Sequence, residues 1–169
     1  MAIDRTSVPR WGPEPPGVDA AGRSFAIVSL GEAALPVAAA WAAEIAPGLP
    51  LRHVHAEVLD EALLARFGRE LGRAVVGWRL MLAGPEDEVQ VLRARAAEAG
   101  ALPCEVRAHA TATGALRVYC AHCRTTGRAA VEIGGVLPCT GCGADLVVHA
   151  HHSRRLAAYL GTRAHVETP

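Results

Sequence analysis

Cys120-Ala121-His122-Cys123 and Cys139-Thr140-Gly141-Cys142 are two CxxC pairs separated by fifteen residues, in the last third of a 169-residue chain. The spacing is typical of a zinc ribbon, in which two tight turns each supply two thiolates to one ion. We therefore predict that these four cysteines bind one structural Zn²⁺. Four thiolates fill a tetrahedral site and leave no position for a substrate, which favours a structural role over a catalytic one.

Two other interpretations of the cysteines stay open at this point. Iron in a rubredoxin-like centre uses similar paired cysteines, so the motif alone does not separate zinc from iron. Four unligated thiols or two disulfides would give the same sequence. The Pro-rich start of the chain lacks the apolar core of a signal peptide, which favours metal over disulfides and a cytoplasmic location.

The composition limits the classes of partner that we expect. Seventeen basic residues balance seventeen acidic ones, so the formal net charge is zero and gives no overall attraction to nucleic acid. No apolar run is long enough to span a bilayer. We therefore expect neither nucleic acid nor a membrane as a partner.

The region 24–112 alternates strand and helix signals. Apolar runs predict strands at residues 25–30, 51–56, 75–83 and 104–110. Helical patterns fall between them, at residues 32–46, 60–72 and 84–100, with Asp60 as the N-cap of the second helix. This order predicts an α/β domain with a small parallel sheet and helices on its faces. Residues 116–164 then form the ribbon domain, and residues 151–164 are predicted as a short terminal helix.

Residues 1–23 are predicted as a Pro-rich N-terminal arm, because four prolines oppose helix formation and Trp11 is its one obvious apolar anchor. The arm is either a disordered tail or a segment that lies across a partner.

Several other side chains are candidates for chemistry or contact. Cys104 falls on the apolar face of the fourth predicted strand and is predicted to be a core residue. His53 and His55 share one face of the second strand and are predicted to be structural. No Ser-His-Asp order, paired-carboxylate pocket or Walker motif stands out. Near the cysteines, a basic group forms either a solvated surface or a contact with a partner: His149, His151, His152, Arg154 and Arg155.

Two stretches of the α/β region resemble motifs of ferredoxin-reductase-like nicotinamide domains. Residues 29–36 (SLGEAALP) stand where that family has a glycine-rich GGxGxxP turn, and residues 82–85 (LAGP) stand where it has Cys-Gly-Pro. Only Gly31 of the glycines remains, Glu32 adds negative charge, Ala83 replaces the cysteine and the domain is one strand short. The resemblance implies a degenerate reductase-like domain, and a reductase fragment that itself binds NADPH is the alternative function.

The C-terminal third resembles the DmmA subunit family of bacterial dimethylamine monooxygenase. The resemblance rests on Val118–Thr125 (VYCAHCRT), on Cys139–Gly143 (CTGCG) and on Leu146–Gly161 (LVVHAHHSRRLAAYLG). It implies an accessory subunit of a multi-component enzyme that demethylates dimethylamine with NADPH and O₂. It further implies that haem, FMN and a [2Fe-2S] cluster reside in partner subunits, namely a haem-dependent demethylase subunit and a flavin and iron–sulfur reductase subunit. The chain alone is then not catalytic.

Overall fold

Four parallel strands build the N-terminal sheet in the computed structural model, which describes residues 6–164. The strands are β1 (Ser24–Leu30), β2 (Leu51–Ala56), β3 (Trp78–Pro85) and β4 (Val106–Ala112), in the spatial order β2-β1-β3-β4. Three helices connect them: α1 (Leu35–Glu44), α2 (Glu61–Leu71) and α3 (Glu86–Glu98). The predicted α/β architecture with a small parallel sheet is confirmed. Asp60 caps α2 as predicted, since its carboxylate accepts the Leu63 N–H at 2.7 Å.

Both faces of this sheet are buried, as parallel sheets require. On one face, Val28 and Leu80 pack with Phe67 of α2 and Leu92 of α3. The opposite face carries α1, whose Trp41 packs among apolar side chains of β1 and β3. One helix therefore packs on this face, whereas two helices pack on the other.

The N-terminal arm completes that second face. The indole N–H of Trp41 donates to the Pro16 carbonyl at 2.7 Å, and the Val18 N–H donates to the Glu44 carboxylate at 2.8 Å. Val18 also packs against the apolar cluster around Trp41. Residues 11–23 therefore lie on their own α/β domain without forming a helix or strand. Residues 1–5 of the predicted arm lie outside the described residues.

Two arginines of the sheet hold the same segment. Arg79 of β3 is paired with Asp19, and Arg107 of β4 donates to the carbonyl of Gly17. The hydrogen bond from Arg79 holds the pKa of the Asp19 carboxyl below its usual value.

The second sheet is mixed and contains five strands. They are β5 (Ala115–Cys120), β6 (Thr126–Ala130), β7 (Val136–Pro138), β8 (Asp145–Ser153) and β9 (Ala158–Arg163), in the order β6-β5-β9-β8-β7. Only β5 and β9 pair in parallel. Residues 6–10 and 114–164 form one compact unit, and Trp11–Thr113 form the other. Within the unit of residues 6–10 and 114–164, the Ser7 hydroxyl accepts a hydrogen bond from the His152 N–H at 2.8 Å.

The terminal helix predicted at residues 151–164 is wrong. This segment forms the end of β8, a turn and then β9, which lies between β8 and β5. Val118 and Tyr159 are partners across the β5–β9 pair, and both are buried. The helical pattern of Leu156 and Leu160 was outweighed by this distant strand pairing.

The predicted core position of Cys104 is also wrong. A single 3₁₀ turn at Pro103–Glu105 precedes β4, and the Glu105 carboxylate accepts the Leu102 N–H at 2.9 Å. Because the strand begins only at Val106, Cys104 precedes the alternating pattern and is exposed.

No helix within residues 6–164 is both long enough and apolar enough to cross a membrane.

Candidate metal centre

The first cysteine pair lies on a tight turn that follows β5. The Cys120 N–H donates to the Thr125 carbonyl at 2.9 Å, and the Arg124 N–H donates back to the Cys120 carbonyl at 2.9 Å. Arg124 adopts φ 64°, in the left-handed region that L residues rarely occupy. This strained position directly follows Cys123.

The second pair repeats this geometry after β7. The Cys139 N–H donates to the Ala144 carbonyl at 2.8 Å, and the Gly143 N–H donates to the Cys139 carbonyl at 2.9 Å. Gly143, with φ 70°, occupies the position equivalent to Arg124, and glycine adopts it without steric cost. The Gly141 N–H points at the Cys139 sulfur at 3.4 Å. The two CxxC motifs therefore form two equivalent turns.

All four sulfurs converge on one point. The Sγ atoms of Cys120, Cys123, Cys139 and Cys142 lie within 4.8 Å of one another. Cys120 Sγ is 4.0 Å from Cys142 Sγ, and Cys123 Sγ is 3.5 Å from Cys139 Sγ. A tetrahedral ion with Zn–S bonds of about 2.3 Å places its sulfurs about 3.8 Å apart, so the cluster fits such an ion. A disulfide would need about 2.05 Å, and all five cysteines are free.

The thiols do not ionise equally without a metal. Hydrogen bonds from Thr125 lower the pKa of Cys123 to about 6. The Ala144 amide lowers the pKa of Cys142, but partial desolvation and the three neighbouring sulfurs outweigh it and raise the value to about 11. Four thiolates therefore coexist here only if a cation offsets their mutual repulsion.

The apolar core of this unit continues directly into the sulfur cluster. Cys120 and Cys139 are buried, Cys123 is half-buried and Cys142 is exposed. The two buried cysteines belong to the same packed cluster as five other side chains: Leu116, Val118, Leu146, Val148 and Tyr159. Loss of the ion should therefore loosen the whole sheet.

The histidines and arginines near the cysteines divide into held and exposed groups. His149 shares a 2.7 Å hydrogen bond with the Thr162 hydroxyl. His152 is 4 % exposed and packs edge-on against Tyr159, with ring centroids 5.0 Å apart. His151, Arg154 and Arg155 are exposed at and beside the turn between β8 and β9. These three side chains are therefore accessible to solvent, whereas His152 is not.

His122, inside the first turn, is exposed, and its Nε2 accepts a hydrogen bond from Arg163 at 2.9 Å. It makes this contact with β9 and is not one of the four clustered ligand groups.

A second polar cluster lies in the α/β domain. His53 and His55 share one face of β2, as expected from strand alternation, and both contact the hydroxyl of Ser29 on β1. Glu57 contacts the other ring nitrogen of His55. Partial desolvation of the ring, and then the charge of His55, lowers the pKa of His53. The sequence shows the two histidines but not Ser29, because the pairing of β1 with β2 is not a local property of the chain.

The C-terminal region of the chain is similar to a known protein family. Residues 117–162 match the family model described as "Dimethylamine monooxygenase subunit DmmA-like, C-terminal domain". The ribbon of this chain is thus similar to DmmA-like C-terminal domains. The resemblance seen in residues 118–161 is thereby confirmed.

A curated relative extends the comparison. The chain is 43% identical over 96 residues to the protein named "Heme-dependent oxidative N-demethylase delta subunit" of Ectopseudomonas mendocina (strain ymp). The matched stretch covers 57% of this chain and 54% of that relative, so the chain matches about half of the relative's length. No solved structure matches the chain significantly.

Replacing Cys139 by Ser should abolish stoichiometric metal binding and unfold the ribbon while the α/β domain stays folded. The buried thiolate is lost from both the ligand set and the core. Metal content of the purified chain, measured by mass spectrometry, checks the loss. Cys104→Ser is the matched control, since this exposed cysteine lies outside the cluster and its replacement should leave the metal in place. Unchanged metal content in Cys139→Ser would refute the ligand assignment.

Replacing Arg124 by Gly should stabilise the metal-loaded ribbon by about 0.5–1 kcal/mol, because glycine removes the left-handed strain at some cost in unfolded-state entropy. Gly143→Ala should destabilise it by about 1–2 kcal/mol at the equivalent position. Urea denaturation, followed by metal release to a chromogenic chelator, measures both. If the two substitutions shift the midpoint in the same direction, the turns are not equivalent.

Proposed function

We propose that this chain is an accessory, zinc-binding subunit of a multi-component N-demethylase that oxidatively demethylates dimethylamine with NADPH and O₂. The observation that carries the proposal is the 43% identity to a delta subunit of a heme-dependent oxidative N-demethylase. The DmmA-like domain at residues 117–162 points to the same kind of enzyme. Both similarities cover part of the chain, and the activity and the partners are therefore part of the proposal.

The chemistry of the metal centre supports an accessory role. Four cysteines supply the sulfurs, which is the ligand set of structural zinc sites, and no ligand position is left for a substrate. The residues Cys120, Cys123, Cys139 and Cys142 would hold the ion, whose contribution is to fix the two turns. Haem, FMN and [2Fe-2S] chemistry then belongs to the partner subunits, namely the haem-bearing demethylase and the flavin and iron–sulfur reductase.

The ribbon offers a basic surface for such a partner. Residues 114–164 contain two carboxylates, Glu132 and Asp145, against six arginines: Arg117, Arg124, Arg128, Arg154, Arg155 and Arg163. The zero net charge of the chain therefore conceals an excess of positive charge in this region. Complementary charge accelerates association and fixes orientation, so an acidic partner surface fits best. We assign the contact to the three exposed side chains, His151, Arg154 and Arg155.

The second candidate function keeps the same centre but fills it with iron. Sulfur positions that accept zinc also accept iron, and a rubredoxin-like centre would let the chain carry electrons itself. Iron in four thiolates absorbs visible light and zinc does not, so the spectrum of the purified chain separates the two. NADPH binding has less support, because the acidic Glu32 directly follows Gly31 after β1, where a pyrophosphate would approach the backbone.

Co-expression with the haem-bearing and reductase subunits tests the proposed function. We expect the chain to co-purify with them, and the complex to demethylate dimethylamine only with NADPH and O₂. The purified chain should show no amine oxidation, because its proposed metal centre is closed. Turnover by the chain alone, or a fully assembled and active complex without it, would overturn the proposal.

The basic contact has its own test in the double variant Arg154→Ala/Arg155→Ala. Removing two exposed charges should weaken retention in the complex by about tenfold at low salt and by less at high salt. Surface plasmon resonance at two ionic strengths measures this difference. The double variant Arg66→Ala/Arg69→Ala, which removes two exposed arginines of α2, is the matched control. Equal loss in both variants would place the contact elsewhere.

A further inference from the structure

The polar cluster of Ser29, His53, His55 and Glu57 lies at the carboxyl ends of two parallel strands. Ser29 and His55 are register partners, and His53 lies two residues before His55 on the same face of β2. In open parallel sheets, ligands bind outside the carboxyl ends of the strands where the strand order reverses, which here is between β1 and β3. The cluster lies at the same end of the sheet, on the neighbouring pair β1 and β2.

Two imidazole nitrogens in this cluster converge on one atom. His53 Nε2 lies 2.8 Å from Ser29 Oγ, and His55 Nδ1 lies 3.0 Å from the same oxygen. The Ser29 side chain is fully buried, whereas His53 is exposed and His55 is partly exposed. Because β2 is an edge strand of its sheet, the two rings can be reached from solvent.

Glu57, the fourth member of the cluster, fixes the tautomer of His55. The His55 Nε2 lies 3.0 Å from a carboxylate oxygen of Glu57, and a carboxylate accepts a hydrogen bond from a ring N–H. The proton of neutral His55 is then on Nε2, which leaves Nδ1 with a lone pair directed towards Ser29. A carboxylate behind an imidazole in this way is the arrangement that orients metal-binding histidines.

In the metal-free cluster the Ser29 hydroxyl donates its proton to His55 Nδ1 and accepts a hydrogen bond from the Nε2–H of His53. These two contacts satisfy the buried hydroxyl, but they do not require the Glu57 carboxylate on the far side of the His55 ring. The carboxylate is explained if His55 Nδ1 has a ligand of its own.

We propose that His53 Nε2 and His55 Nδ1 bind one divalent transition-metal ion of the zinc, nickel and copper class. Imidazole nitrogen suits these metals, and the Ser29 hydroxyl or water completes the coordination. Glu57 acts as a positioning residue through its hydrogen bond to His55. His53 then carries its proton on Nδ1, so binding shifts a tautomer without net release of a proton. This site is separate from the four cysteines and does not depend on the proposed function.

Charges around the site set a modest affinity. The carboxylate of Glu57 favours a cation, whereas the Arg66 guanidinium lies 3.4 Å from the His55 carbonyl oxygen and opposes it. Two protein ligands also hold a metal less tightly than the four sulfurs of the ribbon.

Titration of the full, untagged, zinc-loaded chain with Ni²⁺ in a calorimeter tests the site. We expect one Ni²⁺ per chain, with zinc content unchanged. His53→Ala and His55→Ala should each weaken binding at least tenfold, and Glu57→Gln by about tenfold through the lost hydrogen bond. His109→Ala, which removes a histidine of β4, is the control and should bind as the parent does.

Ser29→Ala separates a metal site from a structural hydrogen bond. It removes the hydroxyl but keeps both imidazoles, so it should lower the melting temperature and retain Ni²⁺ binding. Glu57 is 73 % exposed, so Glu57→Gln should fold even if His55→Ala does not. Binding that is absent in the parent chain, or that is unchanged in both His53→Ala and Glu57→Gln, would overturn the proposal and assign any bound Ni²⁺ to other histidines.

Discussion

The convergence of four sulfurs within 4.8 Å is the constraint on which the C-terminal sheet depends. The three neighbouring sulfurs help to raise the pKa of Cys142 to about 11, which opposes a fourth negative charge in the metal-free cluster. A divalent ion would remove this conflict and join the turn after β5 to the turn after β7. The sheet has a small core in which Cys120 and Cys139 are themselves packed, so ion binding and core formation would be one event.

The α/β domain meets a different constraint, since a parallel sheet must cover two faces with only three helices. Helices α2 and α3 cover one face, and α1 covers part of the other. The Pro-rich segment around Val18 supplies the remaining cover, held by the Trp41 indole and the Glu44 carboxylate. Proline suits this role because the segment packs through side chains and carbonyls without needing a regular ladder.

How much the sequence predicts depends on the range of the interactions involved. The CxxC turns and the Asp60 cap are local, and the structure reproduces both. The alternation of the first four strands and three helices is also local and is confirmed, with ends that move by at most three residues. The segment 151–164 failed because its partner, β5, lies some forty residues earlier, and strand pairing overrode a helical pattern. Ser29 was missed for the same reason, since only the pairing of β1 with β2 brings it to His55.

The distribution of charge shows why whole-chain composition is a poor guide to partners. Equal numbers of acidic and basic residues predict no overall attraction to a charged partner, yet residues 114–164 carry six arginines and two carboxylates. Four thiolates on a divalent ion would add two negative charges, which are held by the turns, while Arg154 and Arg155 stand exposed at the turn between β8 and β9. An ion coordinated by the four cysteines would fix the shape of that surface, and the arginines supply its charge. In the proposed function both properties would serve recognition of another subunit, whereas a reaction centre would need a free ligand position that four cysteines do not leave.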